Sequence, residues 1–530
     1  MTAMRDGTDA PSAFACGWAA FVSAAGALAL EIAAARAIAP LTGNSLHIWT
    51  AIIAAVVSGF AIGHFLGGRL ADALKATAAR RLAATFVVAS LACLLCLSLM
   101  SLLWSGVRLP RGAPVPASLA VAFGLFLLPT AAAGAVSPML AKLAVDADPA
   151  RTGRTLGRMF ALGTAGAVAG AAATGFALLD LLGAVGSIAA VAALFAALAV
   201  WAARTAGIGR VASATGAAAL AGAALLSAWV GAFRSPCAAE SAYFCIRFTD
   251  ESLFAEGRTM RGIVLDHDHH SSNVRDDPTY LYWSYAQFFD SILAARAPKG
   301  PHVFYLGGGG YTLPRALLVR DPEARVTVGE LDPAVTRAAM EQLWVTPSPR
   351  MTIVHGDGRL TLQALPPEER FDVVINDAYK SLQVPPHLTT REFVREAKTR
   401  LAPGGTYLAN MIDARLAPRL MPAVVKTLGE IYPSVEVWFE EGLEGFSPYI
   451  SYLIVASETP SDFDVLDTRH GRPYRFLRMA KADLDAHVNA PGIRVLTDDY
   501  APVDRLASLY CSLRFLERMG IDIGPNERCK

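Results

Sequence analysis

The chain has 530 residues, a formal net charge of +1 and 53% hydrophobic residues, and its mean hydropathy of +0.38 is too apolar for an ordinary soluble enzyme. A charge near zero with no basic stripe argues against nucleic acid as a partner. The apolar excess is concentrated in the first half, so composition alone divides the chain before any motif is read.

Between Phe14 and Phe233 there are seven apolar stretches near the ~20 residues that a bilayer crossing requires: 14–38, 46–68, 82–104, 117–141, 159–182, 184–203 and 211–233. They predict an α-helical, multi-pass membrane domain over residues 1–235, with the lipid bilayer as its partner and the cell inner membrane as its location. The first stretch contains Glu31 and Arg36 and leads straight into further spans, which argues against a cleaved signal peptide. Gly163, Gly166, Gly170 and Gly175 put small side chains along one helix, the pattern of close helix packing. Glu31 is read either as a transport residue or as half of a structural pair with Arg36, because an unpaired carboxylate in lipid is costly.

Loop charge sets the orientation. Arg69, Lys75, Arg80 and Arg81 join the second and third spans, and Lys142, Arg151, Arg154 and Arg158 join the fourth and fifth, which predicts that both loops are cytoplasmic. An odd number of spans then puts the second half outside, where adenosyl cofactors are not normally supplied. Either one span is re-entrant or missed, or the second half does lie outside. Cys237 with Cys245, and Cys511 with Cys529, are spaced for two disulfides in an oxidising compartment, whereas Cys16, Cys93 and Cys96 fall within spans as small apolar residues. None has the close spacing of a zinc site, so no metal is expected.

Beyond Pro236 the composition becomes that of a soluble domain. Residues 236–300 read as a small β region and a lead-in helix, and 301–530 as an α/β doubly wound sheet. Strands are expected near 302–306, 325–330, 351–354, 371–376 and 405–411, with an antiparallel finish near 434–439 and 450–456. The most informative run, VFYLGGGGYTLPRALLVRDPEARVTVGELD, is a strand, a glycine turn, a helix, a second strand and an acid. Gly307, Gly308 and Gly309 let a ligand lie against backbone, and Glu330 ends the next strand where a carboxylate can hold ribose hydroxyls. Asp357 with Gly358, and Asp377, end two further strands, so a parallel sheet would bring all of them to one nucleoside crevice.

These residues resemble the spermidine synthase (polyamine aminopropyltransferase) family over about residues 260–412. LEIAAARAIAPLTGNSLHIWTAII, GHFLGGRLAD and LTDDYAPVDRL are similar to membrane-fused bacterial members of that group. The resemblance implies a class I methyltransferase-like, Rossmann-like fold, with decarboxylated S-adenosylmethionine (or S-adenosylmethionine) as co-substrate and a small amine as acceptor. Homodimerisation is left open. Position by position, YLGGGGYTLPR resembles the family's GGGDGG turn, Glu330 its ribose-binding acid, Asp357 and Gly358 its adenine-contacting pair, and Asp377 the first acid of its DSSDP segment. Two positions depart. Gly310 stands where the family has a donor-binding aspartate, and Lys380 where it has the catalytic aspartate.

An amine attacks carbon only when unprotonated, so the site needs a base. His270 and Tyr280 are the replacement candidates beside Asp377, and Asp276 and Asp277 are sources of amine-binding charge. The run Asp266–His270 (DHDHH) is read against metal binding. Three functions follow: an aminopropyltransferase-like enzyme, an S-adenosylmethionine-dependent methyltransferase, and a non-catalytic polyamine or nucleoside transporter or sensor.

Overall fold

The computed structural model describes residues 12–43, 46–73, 75–106, 114–379, 384–442, 449–468 and 470–507. Lys380, Cys511 and Cys529 fall outside them. The chain forms two compact units, Met1–Ala242 and Tyr243–Lys530.

The first unit is helical: α1 (Ala13–Thr42), α2 (Leu46–Ala71), α3 (Lys75–Gly106), α4 (Pro114–Ala147), α5 (Thr152–Ala173), α6 (Leu179–Thr205) and α7 (Arg210–Trp229). Among the described residues six apolar helical stretches are long enough to cross a membrane, one fewer than the sequence suggested. The difference lies in the stretch Pro149–Thr205, whose 57 residues cover two of the expected spans. A straight helix of that length would reach about 85 Å against an apolar layer of ~30 Å. Gly183 breaks it, with φ 68° and ψ −178°, a conformation open to a residue without a Cβ. The Glu240 carboxylate then accepts from the N–H of Ala184 at 2.8 Å, satisfying one of the donors that a helix start leaves exposed.

Glycines set how closely these helices approach. A Cβ on Gly166 would collide with the Phe21 carbonyl oxygen, and one on Gly170 with that of Ala25, so α1 and α5 meet backbone to backbone. Gly63 and Gly67 do the same for α2 against Ala131 and Ala135 of α4. Arg36 donates to the carbonyl of Ser241 at 2.8 Å.

The second unit opens with an antiparallel meander, β1 (Cys245–Asp250), β2 (Met260–Leu265) and β3 (Asp268–Val274). After α8 (Ser284–Arg296), strand and helix alternate through β4 (His302–Leu306), α9 (Thr312–Arg320), β5 (Arg325–Glu330), α10 (Pro333–Gln342), β6 (Met351–His355), α11 (Gly358–Ala364), β7 (Phe371–Asn376), α12 (Arg391–Thr399) and β8 (Leu401–Ala414). The chain ends its described part with α13 (Leu420–Gly429), β9 (Ser434–Glu440), β10 (Tyr449–Ser457), β11 (Val465–Asp467), β12 (Arg475–Arg478) and α14 (Lys481–Val488). Among the described residues the main sheet has nine strands in the order β11-β12-β9-β10-β8-β7-β4-β5-β6. β4 to β8 run parallel, and β9 and β10 add the expected antiparallel finish.

Alternation along the central strands feeds two cores. Val303, Tyr305, Val373 and Ile375 join the helices α8 to α10 on one face, while Phe304, Leu306, Phe371 and Val374 join α12 and α13 on the other. Covering both faces is what a parallel sheet demands. The strand order reverses between β4 and β7, which opens a crevice at their carboxyl ends. The sheet is therefore of the Rossmann-like, methyltransferase type.

Gly166→Leu should lower the thermal midpoint of the detergent-solubilised protein by several degrees, since it forces α1 from α5. Gly163→Leu, which meets open space, should leave the midpoint within about one degree; equal effects would refute close approach at Gly166.

Candidate functional site

The crevice holds a cavity of about 300 Å³ lined by Gly307, Gly308, Gly309, Glu330, Asp357, Gly358, Asp377 and His270. Tyr280 stands elsewhere, buried with Ala255, Met260 and Val274 and lying under the Arg258 guanidinium. Residues not singled out from sequence complete the wall: Ser271, Tyr285, Tyr379 and His387.

The glycine turn is shaped from both sides. Gly307 has φ 94° and Gly309 φ 49°, while Tyr311 takes a left-handed φ of 56° to start α9. A Cβ on Gly307 would lie 3.2 Å from the Asp377 carbonyl oxygen, so the β4 and β7 ends touch through backbone. The buried Glu330 carboxylate accepts from the N–H groups of Gly308 (2.8 Å), Gly309 (3.2 Å) and Asp332 (2.9 Å). Burial pushes its pKa up, and those three hydrogen bonds pull against that rise.

With Ser271 as it stands, Gly310 leaves no room for a side chain. Its N–H donates to Ser271 Oγ at 2.8 Å, and any Cβ there would overlap that same oxygen. A neutral hydroxyl from β3 fills the place.

Asp357 caps α11, accepting from the N–H of Arg359 (3.0 Å) and Leu360 (3.2 Å) through Oδ1. Its Oδ2 meets His387 Nε2 at 2.7 Å, so a ligand amino group at this corner would share that oxygen with the imidazole. Arg359 secures the far side, with Nη1 at 2.8 Å from Asp498 Oδ1 and Nε at 3.0 Å from Glu396 Oε2.

Asp377 lies deep among Tyr285, Tyr379 and Asn410. Burial pushes its carboxyl up to about 7, opposed by a 3.1 Å hydrogen bond donated by Asn410 Nδ2. Burial first, and the neighbouring Asp377 second, raise the Tyr285 and Tyr379 phenols well above their ordinary value, so both stay neutral. Tyr379 is fixed by donating to the Asn410 carbonyl and accepting from the N–H of Ile412.

His270 reaches the cavity through a β-bulge. Ile263 pairs with Ser271 but Val264 with His269, leaving His270 as the extra residue on β3. The shift lets the consecutive His270 and Ser271 both face the cavity, while His269 turns to Glu251. Nδ1 of His270 lies 2.9 Å from the Asp268 carbonyl oxygen; a carbonyl only accepts, so Nδ1 carries the hydrogen and Nε2 presents a lone pair. That Nε2 is buried and has no partner among the described residues, and burial depresses the ring's pKa, keeping it neutral near pH 7. The site thus offers a neutral base, an acid poised near neutrality and a glycine turn. Asp276 and Asp277 do not line it.

No protein-family model matches the chain. It is 32% identical over 137 residues to the polyamine aminopropyltransferase of Vibrio vulnificus, covering 26% of this chain and 46% of that one. It is 29% identical over 126 residues to a probable polyamine aminopropyl transferase of Bifidobacterium longum, covering 23% and 27%. The chain therefore spans about half the length of the first curated relative and about a quarter of the second. Among solved structures, a probable spermidine synthase from Corynebacterium glutamicum superposes with a TM-score of 0.43 at 22% identity, over 49% of this chain and 95% of that one. The chain is similar, over part of its length, to polyamine aminopropyltransferases.

Asp377 also makes stability depend on pH. Its folded pKa, about 7, exceeds the ordinary ~3.9, so the folded state holds the proton more tightly and its stability falls as pH rises between those values. Asp377→Asn should be more stable than the parent at pH 7.5, by about 4 kcal/mol, with the gain shrinking towards pH 4. Parallel melting curves for the two proteins would refute the buried acid.

Proposed function

We propose that the second unit transfers an aminopropyl group from decarboxylated S-adenosylmethionine to a small amine such as putrescine, and that the first unit holds it in the cell inner membrane as a multi-pass helical domain. The observation that carries the catalytic reading is the meeting, in one cavity, of the glycine turn, Glu330, Asp377 and the bare Nε2 of His270. Similarity to the Vibrio enzyme supports it. The membrane reading rests on the six long apolar helices and their exposed apolar faces, such as Phe160, Phe176 and Trp229.

In this reading Gly307–Gly309 and Glu330 receive the ribose, and Asp357 with Gly358 the adenine. Asp377, when ionised, holds a substrate ammonium. The acceptor amine attacks the methylene bonded to the sulfonium; a C–N bond forms, the C–S bond breaks with its electron pair passing to sulfur, and methylthioadenosine departs. The amine's surplus proton passes to His270 Nε2, the unbonded lone pair of a ring whose tautomer Asp268 fixes. Tyr285 and Tyr379 supply uncharged walls that exclude water from the transfer. Donor positioning at one anion, Asp377, replaces the two acids missing at 310 and 380.

Calorimetry of the detergent-purified protein with decarboxylated S-adenosylmethionine, S-adenosylmethionine and methylthioadenosine, followed by a product assay on putrescine, tests this. Selective binding of the decarboxylated donor and release of methylthioadenosine are expected. His270→Ala should reduce turnover about 10²-fold or more while donor affinity changes less than about twofold. Binding of none of the three nucleosides, or methyl transfer from S-adenosylmethionine, would refute the assignment.

A further inference from the structure

We infer that the nucleoside cavity works outside the cytoplasm, on the face of the membrane opposite the basic loops. The helix contacts fix the number of crossings. Leu162, Gly166 and Gly170 meet Gly17, Phe21 and Ala25 in rising order, so α5 runs parallel to α1. Beyond Gly183, Val191 and Leu194 meet Gly26, level with the point that Gly170 has reached. The chain has therefore reversed at Gly183, and the stretch Pro149–Thr205 is two crossings rather than one long helix or a re-entrant loop. Each piece is long enough for its own crossing.

The remaining helices agree. Gly59, Gly63 and Gly67 meet Thr130, Ala131 and Ala135, so α2 and α4 run in one direction. Ser98 and Ser101 of α3 bond to Ser227 and the Val230 carbonyl, so α3 and α7 run together in the other. Phe86 and Ser90 of α3 meet Phe195 and Ala192 of α6 in falling order, so α3 runs against α6, and Thr85, early in α3, meets Met139, late in α4, as the arms of a hairpin do. The end of α7, the end of α1 at Arg36 and the turn at Gly183 then lie on one side, where Arg36 bonds Ser241 and Glu240 caps Ala184.

Charge decides which side that is. Arg69, Arg80 and Arg81 flank the α2–α3 turn, Arg151 and Arg154 the α4–α5 turn, and Arg204 and Arg210 the α6–α7 turn, all on the far side from the exit. Among the described residues the exit side carries Arg36 and Arg234. The positive-inside bias thus places the three basic turns in the cytoplasm and the exit of the chain outside. A second observation, independent of helix direction, agrees: Cys237 and Cys245, at the point where the chain leaves the bundle, are both disulfide-bonded, a state that persists in oxidising compartments and not in the reducing cytosol. It follows that a sulfonium nucleoside made in the cytoplasm must be exported before this site can use it. A transport step has to precede the transfer.

The inference rests on the membrane reading of the first unit, and fractionation separates the two: release of the full chain by alkaline carbonate would remove the membrane reading itself. For the side, Leu253→Cys (a position 96% exposed in the second unit) and Arg151→Cys are introduced singly into the full chain. Spheroplasts are treated with a membrane-impermeant maleimide, and the labelled peptides are identified by mass. Labelling at 253 and not at 151 before permeabilisation, with a cytoplasmic marker protein unlabelled, is expected. The reverse pattern, labelling of both with the marker protected, or labelling of neither until permeabilisation, overturns the inference. Cells quenched with a permeant alkylating agent should yield Cys237 and Cys245 unalkylated; free thiols at both would also overturn it.

Discussion

The two hydrogen bonds from Gly308 and Gly309 to Glu330 are the interaction on which the cavity depends. They join the ends of adjacent strands β4 and β5, and the left-handed turn at Gly307 brings the chain against β7 on the other side. The carboxylate does the work that a phosphate does in many glycine turns, terminating exposed N–H groups with negative charge. A ribose hydroxyl reaching Glu330 would thus bond to an acid already oriented by backbone, which lowers the cost of ordering the site on binding.

Burial then assigns the chemistry. Asp377 and His270 line the same cavity, but desolvation raises the acid to about 7 and lowers the imidazole, which stays neutral. The tyrosines around them contribute enclosure without charge, because their phenols are pushed out of reach of ionisation.

Much of this was legible because it is written in short range. Four strands ending in glycines or acids are a local pattern, and the parallel sheet converts it into one crevice. The border between the expected spans 159–182 and 184–203 falls on Gly183, the residue with the helix-breaking φ, since apolar length has to be divided wherever it exceeds a bilayer. What stayed hidden depends on distant contacts. Tyr280 and Tyr285 sit in one aromatic run, TYLYWSY, and only the packing of α8 decides that the second lines the cavity and the first lies under Arg258. His387 comes to Asp357 across thirty positions of chain. The bulge that turns His270 inward is a pairing irregularity between β2 and β3, with no signature in either strand alone.

The departure at 310 has a local physical explanation. A side chain there would overlap Ser271 Oγ, and the Gly310 N–H uses that oxygen as its acceptor. An acid could enter only if the Ser271 hydroxyl turned away, which would cost the Gly310 N–H its acceptor. Glu330, Asp357 and Asp377 already place three carboxyl groups around one small cavity, and a fourth would raise the pKa of its neighbours by like-charge repulsion. With a neutral hydroxyl at that corner, Asp377 can ionise near pH 7 and His270 remains the group free to take a proton.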